Sequence, residues 1–99
     1  MQNYIDQLEN KGLNIYYPAR DTNQDDTIGY RICTDNKNAI QDSKEVHIWF
    51  DPNSQGTLFD LGMAFSFNKP LYIVNINEII PTNSKSFTNV ILKWSSHNI

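Results

Sequence analysis

The sequence has a single cysteine, Cys33, so no disulfide can close within the chain, and a reducing cytoplasmic compartment is expected. It has no apolar run near the roughly 18 residues that a membrane helix needs, so neither a span nor a membrane partner is expected. The first residues, MQNYIDQLEN, carry no basic stretch followed by an apolar one, and no secretory signal is expected. Positive charge is scarce: 8 Lys and Arg stand against 11 Asp and Glu, for a net charge of -3. With no basic stripe to neutralise a phosphate backbone, DNA and RNA polymers are not expected partners, whereas a single nucleotide stays open. His47 and His97, with one cysteine, make no metal-ligand spacing. The 4 glycines make neither a phosphate-loop nor a dinucleotide-binding pattern. No metal and no cofactor is expected.

What the chain does have is bulk. Its 99 residues include 12 isoleucines, 5 tyrosines, 5 phenylalanines and 2 tryptophans, enough for one small core and one domain, 1–99. There is no repeat, and the 13 asparagines are spread along the chain.

Tyr4, Ile5 and Leu8 fall at helical spacing before Gly12, which predicts a helix over 1–11. Leu13–Tyr17 is short, aromatic and branched and is stopped by Pro18, which predicts a strand followed by a loop over 18–28. A helix over 29–41 would turn Tyr30, Cys33 and Ile40 inward. Glu45–Phe50 reads as a second strand, 57–67 as an apolar helix, and Pro70–Asn75 as a third strand covered on both faces. Phe87, Val90, Ile91 and Trp94 recur at i, i+3, i+4 and i+7 in a last helix over 84–94. Helices alternating with strands define an α/β fold with a small parallel sheet. Three strands leave two open edges, for which a homo-oligomer is the expected remedy.

In such sheets ligands bind beyond the carboxyl ends of the strands. There Asp51-Pro52-Asn53-Ser54-Gln55-Gly56-Thr57 runs from a strand end into a helix start, whose free amides and dipole receive anions. Ser54 and Thr57 add hydroxyls, Gln55 an amide, and Gly56 permits close backbone approach. Asp60 follows, placed in the first turn of that helix. It is either a carboxylate that attacks or stabilises an anomeric carbon, or the partner of Thr57 in a capping box.

The residues Asn38-Ala39-Ile40, Val46–Phe50, Ser54-x-Gly56-Thr57-Leu58-Phe59-Asp60-Leu61-Gly62-Met63-Ala64 and Lys69–Val74, with Gly12–Asp21 upstream, resemble the nucleoside 2-deoxyribosyltransferase family. That family includes N-glycosidases of nucleoside monophosphates, and the likeness covers roughly residues 4–75. The resemblance implies a three-layer α/β sandwich with flavodoxin-like strand order, here without the family's first strand. It also implies a nucleoside or nucleotide pocket completed by a neighbouring subunit. Asp60 stands at the position of the family's glutamate nucleophile and is one methylene shorter. Ser54 stands where the monophosphate hydrolases have serine and the transferases aspartate, which implies a phosphate-bearing ligand.

Other side chains have two readings each. Arg20 follows a strand end and either meets a phosphate or pairs with Asp21, Asp25 or Asp26. Tyr16 or Tyr17 can stack on a base, while the other fills core. Asp21 lies in the same base-recognising loop, and Gln24 with Asp25 can hydrogen-bond a ribose. Arg31 reads as a solvated residue, Trp49 as packing or interface, and Cys33 as a buried helix residue. Two functions of different class follow. One is capture of a small ribosyl-phosphate ligand by Ser54, Gln55, Gly56, Thr57, Arg20, Tyr17, Asp21 and Gln24, as a sponge for a nucleotide-derived signal without turnover. The other is a deoxyribosyltransferase or monophosphate N-glycosidase using Asp60.

Overall fold

The computed structural model describes residues 1–96. His97, weighed with His47 for metal-ligand spacing, lies outside them. The chain divides into two compact units, 1–39 and 40–99.

The first unit begins with α1, Gln2–Asn10, which buries Ile5. It ends as the sequence predicts, at Gly12, whose φ of 87° lies in the left-handed region that glycine adopts without strain. The Gly12 amide donates to Glu9 and the Leu13 amide to Leu8, closing two of the helix's last carbonyls. Residues 13–17 do not form the expected strand. Some of their backbone groups are engaged from nearby in the chain: Arg20 donates to the Ile15 carbonyl at 3.0 Å, and the Tyr17 amide donates to Asp21 at 2.7 Å. The amides of Arg20 and Asp21 both donate to the Tyr17 carbonyl. This turn starts a short helix, α2, Pro18–Asp21, inside the segment read as loop, with proline in its first turn, where a missing N–H costs nothing.

Helix α3, Tyr30–Asp42, is held at its start by Asp26, whose carboxylate accepts from the Arg31 and Ile32 amides at 2.9 and 3.1 Å. Gly29, at φ 89°, makes the turn into it. The inward face differs from the expected one. Tyr30 is 79% exposed, Cys33 and Ile40 are half-buried, and Asn36 is the buried residue, accepting from the Tyr16 hydroxyl. The register slips because the Asp26 cap sets where the helix begins, and Asn36 brings a hydrogen bond that an apolar residue would not.

The second unit holds a parallel pair, β1 (Val46–Ile48) and β2 (Leu71–Ile73), in register Val46–Leu71, His47–Tyr72 and Ile48–Ile73. Among the described residues the sheet has these two strands, and a third over 13–17 is absent. Helix α4, Gln55–Ser66, crosses between them, and α5, Phe87–Ser96, follows a single 3₁₀ turn over Ile76–Glu78. Phe50, Leu61, Leu71, Ile73 and Ile91 form the buried cluster, with Val46, Ile48, Leu58 and Leu92 packed against it. Strand side chains alternate faces. Leu71 and Ile73 therefore enter the core while Tyr72 stays half-buried, its ring stacked on His47 at 4.9 Å. The fold class is mixed α/β.

Helix α4 starts two residues before the predicted 57 because Ser54 is its cap: the Ser54 hydroxyl accepts from the Thr57 amide at 3.2 Å. Helix α5 starts at Phe87 and not 84, since Ser86 accepts from the Asn89 amide at 3.1 Å. The Asn89 side chain in turn braces the preceding loop, accepting from the Thr82 amide and donating to the Ser84 carbonyl.

Candidate functional site

The carboxyl ends of β1 and β2 are joined by one side chain. Asn75, 7% exposed, donates its amide to the Phe50 carbonyl at 2.9 Å and accepts from the Phe50 amide at 2.8 Å. The segments leaving both strands therefore start from a fixed point. From it the first segment turns back at once: Asp51 accepts from the Asn53 amide at 2.9 Å, and the Ser54 amide donates to the Asp51 carbonyl. Asp51-Pro52-Asn53 thus delivers Ser54 as the cap of α4 one short turn after Phe50.

The cap satisfies the Thr57 amide, and the Leu58 amide donates to the Ser54 carbonyl. The Gln55 and Gly56 amides have no acceptor among the described residues. They lie at the positive end of a 12-residue helix, where N–H groups attract an anion. Gly56 is not there for the fold: a Cβ would meet nothing nearer than the Ser54 hydroxyl at 3.9 Å.

Asp60 falls in the second turn of α4, not the first, and it is not the cap's reciprocal partner. Ser54 moves the helix start upstream, and no acidic residue occupies the first turn. Asp60 is half-buried and sits one turn beyond Thr57 on a neighbouring face, next to Leu61, which enters the core.

In the first unit Tyr17, Arg20, Asp21 and Gln24 gather in one turn and hold one another. Arg20 donates to Asp21 at 2.7 and 2.9 Å, to Glu9 at 3.0 Å and to the Ile15 carbonyl. Asp21, and then Glu9, raise the Arg20 pKa above its ordinary value, so it stays charged. Arg20 and the Tyr17 amide hold the Asp21 carboxyl below the usual carboxylate range. Gln24 donates to the Pro18 carbonyl at 2.8 Å. Arg31, read as solvated, donates to Asp35 at 2.8 Å and to the Asn23 carbonyl. Asp26 serves the start of α3, and the backbone amides of Ile32 and Gly29 lower its pKa.

Sequence reasoning overlooked Asn75, the side chain that sets the geometry of the strand ends. An asparagine closing a nearly apolar strand was the available signal, hidden among 13 asparagines. Trp49, read as packing or interface, is exposed beside β1. Among the described residues no cluster of His, Cys, Asp and Glu could hold a metal, and no helix is long and apolar enough to cross a membrane. No known family model, curated protein or solved structure matches the chain.

Proposed function

We propose that the chain binds a small nucleoside- or nucleotide-type ligand at the carboxyl ends of β1 and β2, with its phosphate at the start of α4, and holds it without turnover. The observation that carries this reading is the pair of open amides at Gln55 and Gly56. They follow the capping Ser54, one short turn after Phe50, whose backbone Asn75 holds. A helix start at the end of a parallel strand is where α/β sheets place anionic ligands. The resemblance of Ser54–Ala64 to the nucleoside 2-deoxyribosyltransferase family supplies the nucleotide and the three-layer, flavodoxin-like fold. The reading rests on residues of the second unit alone. A homo-oligomer that covers the open edges of the two-stranded sheet is part of it.

The test is mass spectrometry of a mixed pool of nucleosides, deoxynucleoside monophosphates, NAD and cyclic ADP-ribose isomers incubated with the protein. Filtrate and heat-released fractions are analysed separately. One compound depleted from the filtrate and recovered intact supports capture. Free base in the filtrate supports the other reading, an N-glycosidase or deoxyribosyltransferase with Asp60 as nucleophile. A pool returned unchanged and unretained overturns both.

A further inference from the structure

A second concavity lies at the other end of α4. Phe65 is eleven residues beyond Ser54, about 16 Å along the helix axis. Phe65 is 55% exposed, and its ring meets that of Trp94 edge-on at 5.3 Å. With Val90 these rings floor an open cavity of about 510 Å³, within the range of small-molecule sites. Its polar neighbours are already engaged. The Trp94 indole donates to the Lys69 carbonyl at 2.9 Å, and the Asn89 side chain is spent on Thr82 and Ser84.

That leaves Lys85 and Lys93, both of which line the cavity. Among the described residues neither has an ion pair, and no carboxylate lines the cavity with them. In a chain of net charge -3 this is a local concentration of positive charge around an apolar floor. A second copy docked through the same face would set lysines against lysines. An anionic lipid surface would meet the acidic remainder of the chain.

We infer that this cavity takes a free anionic amphiphile: a carboxylate whose aliphatic or aromatic body lies on Phe65, Val90 and Trp94, and whose charge meets Lys85 and Lys93. The site is separate from the strand ends and does not rest on the function proposed for them.

Decanoate tests it, followed by calorimetry and by the two indole N–H signals in NMR. The Trp94 signal moves and the Trp49 signal does not. Octanoate, two methylenes shorter, binds about tenfold more weakly. Decyltrimethylammonium, with the same tail and the opposite charge, does not bind at the same concentration. The double variant K85E/K93E loses at least tenfold in decanoate affinity and gains the cation; K85Q/K93Q, which adds no charge, loses decanoate without gaining it. Equal binding of decanoate and decyltrimethylammonium overturns the inference, as does decanoate affinity unchanged in both double variants. So does binding to anionic vesicles with none to free decanoate, or a dimer that forms through this face and excludes the probe.

Discussion

The carboxamide of Asn75 closes both backbone groups of Phe50, accepting its amide at 2.8 Å and donating to its carbonyl at 2.9 Å, with both residues buried. Beyond the last ladder residues, Ile48 and Ile73, this side chain continues the pairing that the backbone stops making. Asn75→Ala strands one donor and one acceptor away from water, at a cost of about 2–4 kcal/mol. Urea denaturation measures it. A loss below about 0.5 kcal/mol would mean that water replaces the carboxamide and the strand ends are not fixed as described.

Ser54 has two duties that substitution separates. Ser54→Ala removes the cap and lowers stability by about 1 kcal/mol, whereas Ser54→Gly costs only a few tenths. Ser54→Asp keeps a good cap but sets a negative charge beside the Gln55 and Gly56 amides. Its melting temperature stays near that of the parent while retention of nucleoside monophosphates falls and that of nucleosides does not. Equal retention of monophosphates by Ser54→Asp and parent would move the phosphate away from α4.

Gly56 gives the complementary case. Ala fits, since a Cβ there contacts only the Ser54 hydroxyl at 3.9 Å, and helix propensity makes Gly56→Ala neutral to about 0.5 kcal/mol stabilising. Like every helical Cβ, that methyl tilts toward the N-terminal end of the helix, the side from which an anion would approach. Calorimetry with nucleoside monophosphates should show affinity falling as thermal stability holds or rises. Parallel losses in both would mark Gly56 as structural.

Helices α1, α3, α4 and α5 were legible from local signals, such as Gly12 after α1 and the apolar spacing of α4 and α5, whereas α2 lies in a segment whose polar composition reads as loop. The two strands were legible as short branched runs. The segment 13–17 has the same composition but no ladder: Arg20 and Asp21 reach back and take the Ile15 carbonyl and the Tyr17 amide. Propensity reports what a segment could pair with and is silent on competing side chains. The same competition displaced Asp60: Ser54 and Thr57 are both good caps, and which one wins depends on the turn set by Asp51. The cavity beneath Phe65 could not be read, since it needs α4 and α5 placed side by side.

Acid weakens the 1–39 unit through two carboxylates. Asp21 and Asp26 are both held below the ordinary carboxylate range, by Arg20 and by backbone amides respectively. A carboxylate with a lowered folded pKa contributes stability that is complete above its unfolded value, near 4, and is lost as pH falls through the folded one. The protection of amides in α1, α2 and α3 against hydrogen exchange, taken relative to the intrinsic rate at each pH, should therefore fall below about pH 4. In Asp21→Asn and Asp26→Asn the pH dependence flattens, because the uncharged amide has no proton to take up. A slope unchanged in both variants would assign the acid sensitivity elsewhere.

Asn68 and Lys69 decide how α4 ends. Asn68, at φ 57°, is the described residue other than glycine in the left-handed region. Its amide donates to Phe65 at 3.0 Å and the Lys69 amide to Ala64 at 3.1 Å, the paired closure that a left-handed residue allows. Lys69 then donates its ammonium to the carbonyls of Gln41 and Ser43 at 2.7 and 2.6 Å, and its own carbonyl accepts from Trp94. Asn68→Gly relieves the backbone and stabilises by about 0.5 kcal/mol, while Asn68→Val, branched at Cβ, costs about 1–2 kcal/mol. Lys69→Met keeps the aliphatic stem and both backbone bonds but strips the ammonium from two carbonyls, a loss of about 1–2 kcal/mol. Because Asn68 acts through the backbone and Lys69→Met through the side chain, the Asn68→Val/Lys69→Met double variant should lose the sum of the two within about 0.5 kcal/mol. A much smaller combined loss would show that the ammonium contacts depend on the left-handed turn, making the two residues one device.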